Sequence, residues 1–143
     1  MKFIYLLCIL VYAFQVPLIV LFLQGKNAQI VFPFAASDVE RIETYYDDGI
    51  SERKEKTIEA EEAIDHLYNL FSERSFEKEE LRCADSFCAL KMVFFLADGT
   101  GYEVAYAPIT VKTGYLRFGS DDSCYLTSSD IVGAWESLAG TSY

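Results

Sequence analysis

A long uncharged apolar segment, Phe3 to Gln24, constrains this chain more than any other feature. The hydrocarbon layer of a bilayer is about 30 Å thick, so a helix of about 20 apolar residues spans it. Gln15 and Pro17 interrupt the segment, and membrane helices tolerate a proline where neighbouring groups satisfy the freed carbonyl. The sequence therefore predicts a transmembrane anchor, or uncleaved signal-anchor, at 1–24.

A cleaved signal peptide is the main alternative to an anchor, and a buried helix of a soluble fold is a third. Lys2 provides a minimal positive start, but signal-peptide apolar regions usually run about 7–15 residues. Cleavage also needs small residues in an A-x-A-like pattern, which neither the sequence from Leu23 nor that from Phe34 fits. We expect an anchored protein, and a secreted one if the segment is cleaved.

The orientation in the membrane is weakly encoded. Lys2 precedes the segment, whereas Lys26 and Arg41 are the nearest positive charges after it, so the positive-inside count is almost balanced. The N-terminal tail is too short to be a domain, and signal-like segments normally export the domain on their C-terminal side. We therefore predict a single-pass protein of the cell membrane with an extracytoplasmic C-terminal domain.

The rest of the chain has room for one domain. The full chain has 143 residues, and we assign 25–36 to a partly apolar linker and 37–143 to the domain. The linker either lies at the membrane interface or packs on the domain. All 22 acidic residues lie C-terminal to the anchor, against 12 basic residues in the chain, for a net charge of −10. This acidity excludes a nucleic-acid partner, since binding a phosphate backbone requires a basic surface.

The residue pattern of the domain predicts an α+β fold, an antiparallel sheet with two helices in the order ββαββββα. Alternating apolar residues and turn signals such as Asp98-Gly99 indicate the strands. We expect strands at about 39–46, 53–58, 89–97, 101–107, 115–118 and 124–127. The charged 53–58 strand is expected at a sheet edge, and the polar 75–80 stretch is expected to be a loop.

Two stretches predict helices. Ile64, Leu67 and Phe71 belong to an apolar stripe at helical spacing within Ala60 to Arg74. A second, short helix is expected from Asp130 to Leu138, capped by Ser128 or Ser129. Ser37 to Glu40 matches a capping box, but the β-branched and aromatic residues after it favour a strand there.

The domain contains three cysteines, so at most one intramolecular pair forms within it. Cys88 and Cys124 begin strands that start at opposite ends of the expected meander. We therefore predict that a disulfide, if one forms, joins Cys83 to Cys88. Three unbridged thiols are the alternative, and a zinc site lacks paired C-x-x-C motifs.

No catalytic motif is present. His66 is the only histidine, and helical spacing places it away from the apolar stripe. The acidic clusters do not match a calcium-loop pattern, and no G-x-S-x-G turn occurs. We therefore predict no catalytic residues, no metal and no cofactor, and thus no enzyme.

Tyrosines are the more suggestive residues, because tyrosine is enriched at protein interfaces. Six tyrosines of the domain are candidates, and they either complete the core or share an outer interaction surface. They are Tyr45, Tyr46, Tyr102, Tyr106, Tyr115 and Tyr125. The leading hypothesis is a membrane-anchored extracytoplasmic binding or accessory module with a protein partner. The second is an inhibitor or immunity-type protein whose acidic face neutralises a basic toxin or hydrolase.

Overall fold

One antiparallel sheet organises the domain. The computed structural model describes residues 27–72, 75–82, 89–120, 123–138 and 141–142. The strands are β1 (Asn27–Gln29), β2 (Val39–Tyr46), β3 (Lys54–Ile58), β4 (Ser75–Arg82), β5 (Leu90–Leu96), β6 (Gly101–Pro108), β7 (Gly114–Phe118), β8 (Ser123–Thr127) and β9 (Thr141–Ser142). They pair in the order β1-β4-β8-β7-β6-β5-β2-β3-β9, with β1 and β9 as short pieces at the edges of seven longer strands.

Two helices complete the architecture, α1 (Glu61–Ser72) and α2 (Ile131–Glu136), and a 3-10 turn spans Ala36–Asp38. The α+β class, with one small domain of antiparallel sheet and two helices, is therefore confirmed. The predicted anchor lies outside the described residues. Within the described part of the chain, no helix is long and apolar enough to cross a membrane.

Most predicted elements are present within one or two residues of their expected bounds, but the order ββαββββα is wrong because it omits β1, β4 and β9. The 75–80 stretch, expected to be a loop, belongs to β4. Its charged residues have weak strand propensity, yet β4 pairs with β1 on one side and β8 on the other. Tertiary pairing overrides local preference here.

Two smaller expectations also need correction. The charged strand β3 is not the outermost strand, because β9 pairs with its residues Lys56 and Thr57. The short helix α2 begins one residue later than expected, and its cap is Asp130, whose carboxylate accepts the N–H of Gly133 at 2.8 Å. A carboxylate satisfies an otherwise unpaired N–H at a helix start as well as a serine hydroxyl does.

The core lies against one face of the sheet, which we call the covered face. Alternate residues of β2 and β5 point into it, among them Ile42, Met92 and Phe94, each fully buried. Helix α1 closes this face with Ile64, Leu67 and Phe71, the stripe that its spacing predicted.

The segment between β1 and the 3-10 turn also packs on the covered face. The Phe32 ring is 5 % exposed and contacts the rings of Tyr68, Phe94 and Tyr102 at centroid distances of 5.0 to 5.5 Å. The Tyr68 hydroxyl donates to the Phe34 carbonyl at 2.7 Å. This part of the expected linker therefore packs as a layer of the domain.

Candidate interaction surface on the open face

The second face of the sheet, which we call the open face, carries charged and aromatic side chains. Because side chains alternate along a strand, Arg41, Glu43 and Tyr45 of β2 point away from buried Ile42 and Thr44. Both helices pack on the covered face, and no described helix packs on the open one. The open-face side chains lie in register across β2, β5, β6 and β7.

Glu103 is the centre of the charge pattern on this face. Its carboxylate accepts from Lys91 Nζ at 2.8 Å and from Arg117 Nη2 at 3.4 Å, joining β5, β6 and β7. The Glu103 side chain is 32 % exposed and that of Arg117 is 24 % exposed. At this depth water still screens the pairs, so they contribute at most about 1 kcal/mol each to stability.

A second group of contacts lies on β2 and β5. Arg41 Nε donates to Glu43 at 2.9 Å, and the Tyr45 hydroxyl donates to the same carboxylate at 3.1 Å. The Arg41 guanidinium also stacks over the Phe95 ring, 4.3 Å from its centroid. The hydrogen bond to Glu43, and after it burial, raises the pKa of the Tyr45 hydroxyl.

These two groups hold their side chains in fixed positions without burying them. Arginine and tyrosine are enriched at protein interfaces, where each presents a large flat surface with a polar end. The open face therefore has the chemistry of a recognition surface, with three cations, two carboxylates and two aromatic rings that remain accessible.

The six tyrosines do not share one face. Tyr106 and Tyr125 are buried in the core, and Tyr46 and Tyr102 pack against the core from its margin. Tyr45 and Tyr115 are half-buried. In sequence they adjoin Thr44 and Leu116, which are buried on the covered face, so the two tyrosines point to the open face. The interaction surface thus retains two of the predicted tyrosines.

The cationic and acidic members of this surface were missed from sequence. A usable signal existed, because Lys91 alternates with the buried residues Leu90 and Met92 on β5. The pairing of Lys91 and Arg117 with Glu103 depends on the register between three strands, which single-strand patterns do not contain.

An open cleft of about 760 Å³ lies between the β2–β3 loop and α2, lined by residues 51–56 with Trp135 and Glu136. Lys56 Nζ donates to the carbonyls of Trp135 and Leu138 at 3.1 and 2.9 Å, so it caps the end of α2. Burial lowers the pKa of the Lys56 ammonium. Lys54 lies 3.8 Å from Glu136. These contacts attach α2 to the sheet. They give Lys54 and Lys56 a structural role, so a bound ligand is not needed to account for the two cations in the cleft.

The described part of the chain offers no group of three metal-ligating side chains. His66 is exposed on α1, as its helical spacing predicted. Cys124 is disulfide-bonded. Cys83 and Cys88 lie outside the described residues, so the predicted pairing of these two cysteines stays a prediction.

Comparison with protein-family models, with curated proteins and with solved structures found no match to this chain.

Proposed function

We propose that this protein is a non-enzymatic binding module, held in the cell membrane by its N-terminal segment, with its domain outside the cytoplasm. The observation that carries the proposal is the open face, where charged and aromatic side chains are fixed by their neighbours yet remain accessible. Such pre-positioned groups lose little conformational entropy when a partner binds.

The membrane part of the proposal rests on sequence. Phe3 to Gln24 has the length and the lack of charge that a spanning helix needs. Cell fractionation and then protease treatment of intact cells test it. We expect the full-length chain in the membrane fraction and digestion of the domain from outside; a shortened chain in the soluble fraction, or a domain protected until lysis, would contradict it.

The binding part of the proposal predicts a protein partner on the open face. The test compares the wild-type protein in detergent extract with the double variant Lys91→Ala and Arg117→Ala. Both positions are partly exposed, so the variant keeps its core and is expected to fold. A partner recovered with the wild type and lost with the variant is the expected result. Unchanged recovery would remove the open face from the proposal.

The second candidate is an inhibitor or immunity-type protein that binds a basic toxin or hydrolase. An acidic patch at the start of α1 favours this candidate. Its four exposed carboxylates are Glu59, just before the helix, and Glu61, Glu62 and Asp65 in the first half of the helix. Charge complementarity of this kind speeds association and weakens with salt. Substituting Glu61→Lys and Glu62→Lys would abolish such binding, whereas the open-face variant would leave it intact.

A further inference from the structure

Large aliphatic side chains are exposed on two loops of the domain. Ile50, in the β2–β3 loop, is 94 % exposed, and Val111 and Ile109, in the β6–β7 loop, are 81 % and 55 % exposed. Single exposed apolar residues are ordinary on protein surfaces. Here three of them occur on two loops that the sheet brings to the same end.

Pairing across the sheet establishes that common end. One row of paired residues crosses seven strands, from Lys54 in β3 through Tyr46, Leu90, Tyr106, Leu116 and Tyr125 to Lys78 in β4. The β2–β3 and β6–β7 loops project on the same side of this row. We call that end the near rim, and the end with the Asp98-Gly99 turn the far rim.

Both loops are internally braced. The Asp48 carboxylate accepts the N–H groups of Ile50 and Ser51 at 2.9 and 2.6 Å and the Ser51 hydroxyl at 2.6 Å. These hydrogen bonds lower the pKa of Asp48 to about 2. In the other loop, the hydroxyl groups of Thr110 and Thr113 are hydrogen-bonded to each other. Each loop therefore holds its aliphatic side chains outward in a defined conformation.

Strand β1 lies on the near-rim side of this row and runs toward the near rim, because Asn27 pairs with Glu77 and Gln29 pairs with Ser75. Asn27 pairs with Glu77, which lies one residue to the near-rim side of Lys78. Gln24, the last residue of the apolar segment, is three residues before Asn27, so the two are at most about 10 Å apart. The far turn lies eight residues beyond Leu90 along β5, or about 25 Å away. With Gln24 at the bilayer surface, Asn27 can stand at most about 10 Å above that surface. If the far rim faced the bilayer, the Asp98-Gly99 turn would then lie inside the lipid.

We propose that the near rim docks on the surface of the bilayer that holds the anchor, with Ile50, Ile109 and Val111 entering the interface between headgroups and acyl chains. This inference rests on the anchor of the proposed function. Aliphatic side chains gain from burial in that layer, and the tether supplies a high effective concentration. The open face then stands free for a partner.

The charges of the rim specify the lipid. Asp47, Asp48 and Glu52 surround Ile50 and Arg53 ends the same loop, whereas Lys112 follows Val111 in the other loop. The two aspartates already accept backbone N–H groups of their own loop, which reduces the cost of bringing them near the interface. Acidic side chains repel anionic headgroups, so the proposed surface is a zwitterionic one.

The test uses the full chain reconstituted in phosphatidylcholine vesicles that contain lipids with a quencher on the acyl chain. An environment-sensitive fluorescent amino acid is placed in turn at Ile50, at Val111 and at Ala97, an exposed far-rim position. We expect quenching at the two near-rim positions to exceed that at Ala97 by at least about twofold, and to weaken when phosphatidylglycerol is added. Equal quenching at all three positions would overturn the docking.

A variant separates docking from anchoring. With the fluorophore at Ile109, the substitutions Ile50→Ser and Val111→Ser are expected to lower the quenching by about half or more, while the protein still floats with the vesicles. Both positions are exposed, so the core is unaffected. Flotation without near-rim quenching would overturn docking alone, whereas failure of the wild-type chain to float would overturn the anchor and the docking together. Shielding of the rim in native membranes but not in protein-free vesicles would overturn lipid docking and assign the rim to a protein.

Discussion

Trp135 Nε1 donates a buried hydrogen bond of 2.8 Å to Thr44 Oγ1, across 91 residues of sequence. The Thr44 hydroxyl in turn donates to the Lys56 carbonyl at 2.9 Å. One side chain of β2 thus connects α2 with β3. Because Thr44 and Trp135 are almost completely buried, neither partner can turn to water if the contact is lost.

Replacing Thr44→Val is expected to lower the free energy of unfolding by about 2 kcal/mol, because it leaves the indole N–H and a carbonyl without their partner. Denaturant unfolding measures it. Trp135→Phe removes the other partner of the bond. The double variant should lose about 1 kcal/mol less unfolding free energy than the sum of the two single losses. Strict additivity of the two substitutions would contradict a direct bond between them.

Gly114 is predicted to be intolerant of a side chain. A Cβ there would lie 2.4 Å from Cε2 of Tyr106, whose ring is buried in the core. We expect Gly114→Ala to lower the free energy of unfolding by about 2 kcal/mol, since a packed aromatic ring cannot move away freely. Gly101→Ala is the matched control, because its Cβ would meet only side-chain carbons of Val93 and Phe95 at 3.1 and 3.3 Å. Equal losses for the two variants would be the contrary result.

Alkaline pH should destabilise the domain through Tyr106. Burial, and then the negative charge of Asp130, raises the pKa of its hydroxyl above the ordinary value of 10.0. A raised folded-state pKa gives stability that is complete below the unfolded pKa and is lost as the pH rises through the folded one. Tyr106→Phe is therefore expected to flatten the fall in unfolding free energy above about pH 10. Burial lowers the pKa of Lys56, so this group makes the unfolding free energy rise with pH. Lys56 is present in both proteins, so its contribution cancels in the comparison.

The disulfide at Cys124 should contribute measurably to stability. Reduction, or the substitution Cys124→Ser, is expected to lower the free energy of unfolding by about 2–4 kcal/mol, because the crosslink restricts the unfolded chain. Mass spectrometry of unreduced peptides identifies the second cysteine of the bridge. A bridge from Cys124 to Cys83 or to Cys88 would contradict the predicted Cys83–Cys88 pairing, whereas a bridge from Cys124 to Cys8 would leave that pairing possible.

Local patterns were sufficient to predict much of the fold, because each depends on neighbouring residues. The alternation in β5, the Asp98-Gly99 turn and the stripe of α1 all predicted elements that the structure contains. The charged strand β4 could not be predicted in this way. Most of its residues are charged and have weak strand preference, and it forms because β1 and β8 satisfy its backbone groups from both sides.

The candidate surface depended even more on tertiary structure. Tyrosine content alone pointed to six residues, and the strand register sends most of them to the core and leaves Tyr45 and Tyr115 on the open face. Glu103 meets Lys91 and Arg117 because three strands align in one register.

The sequence by itself determined the acidity of the domain, its α+β class and the apolar segment before it, since composition and periodicity act locally. Tertiary structure alone decided which side chains share a face and which loops share a rim. Those relationships arise from pairing between distant strands, which brings β1 and the loops of Ile50 and Val111 to the near-rim side of the sheet although many residues separate them along the chain.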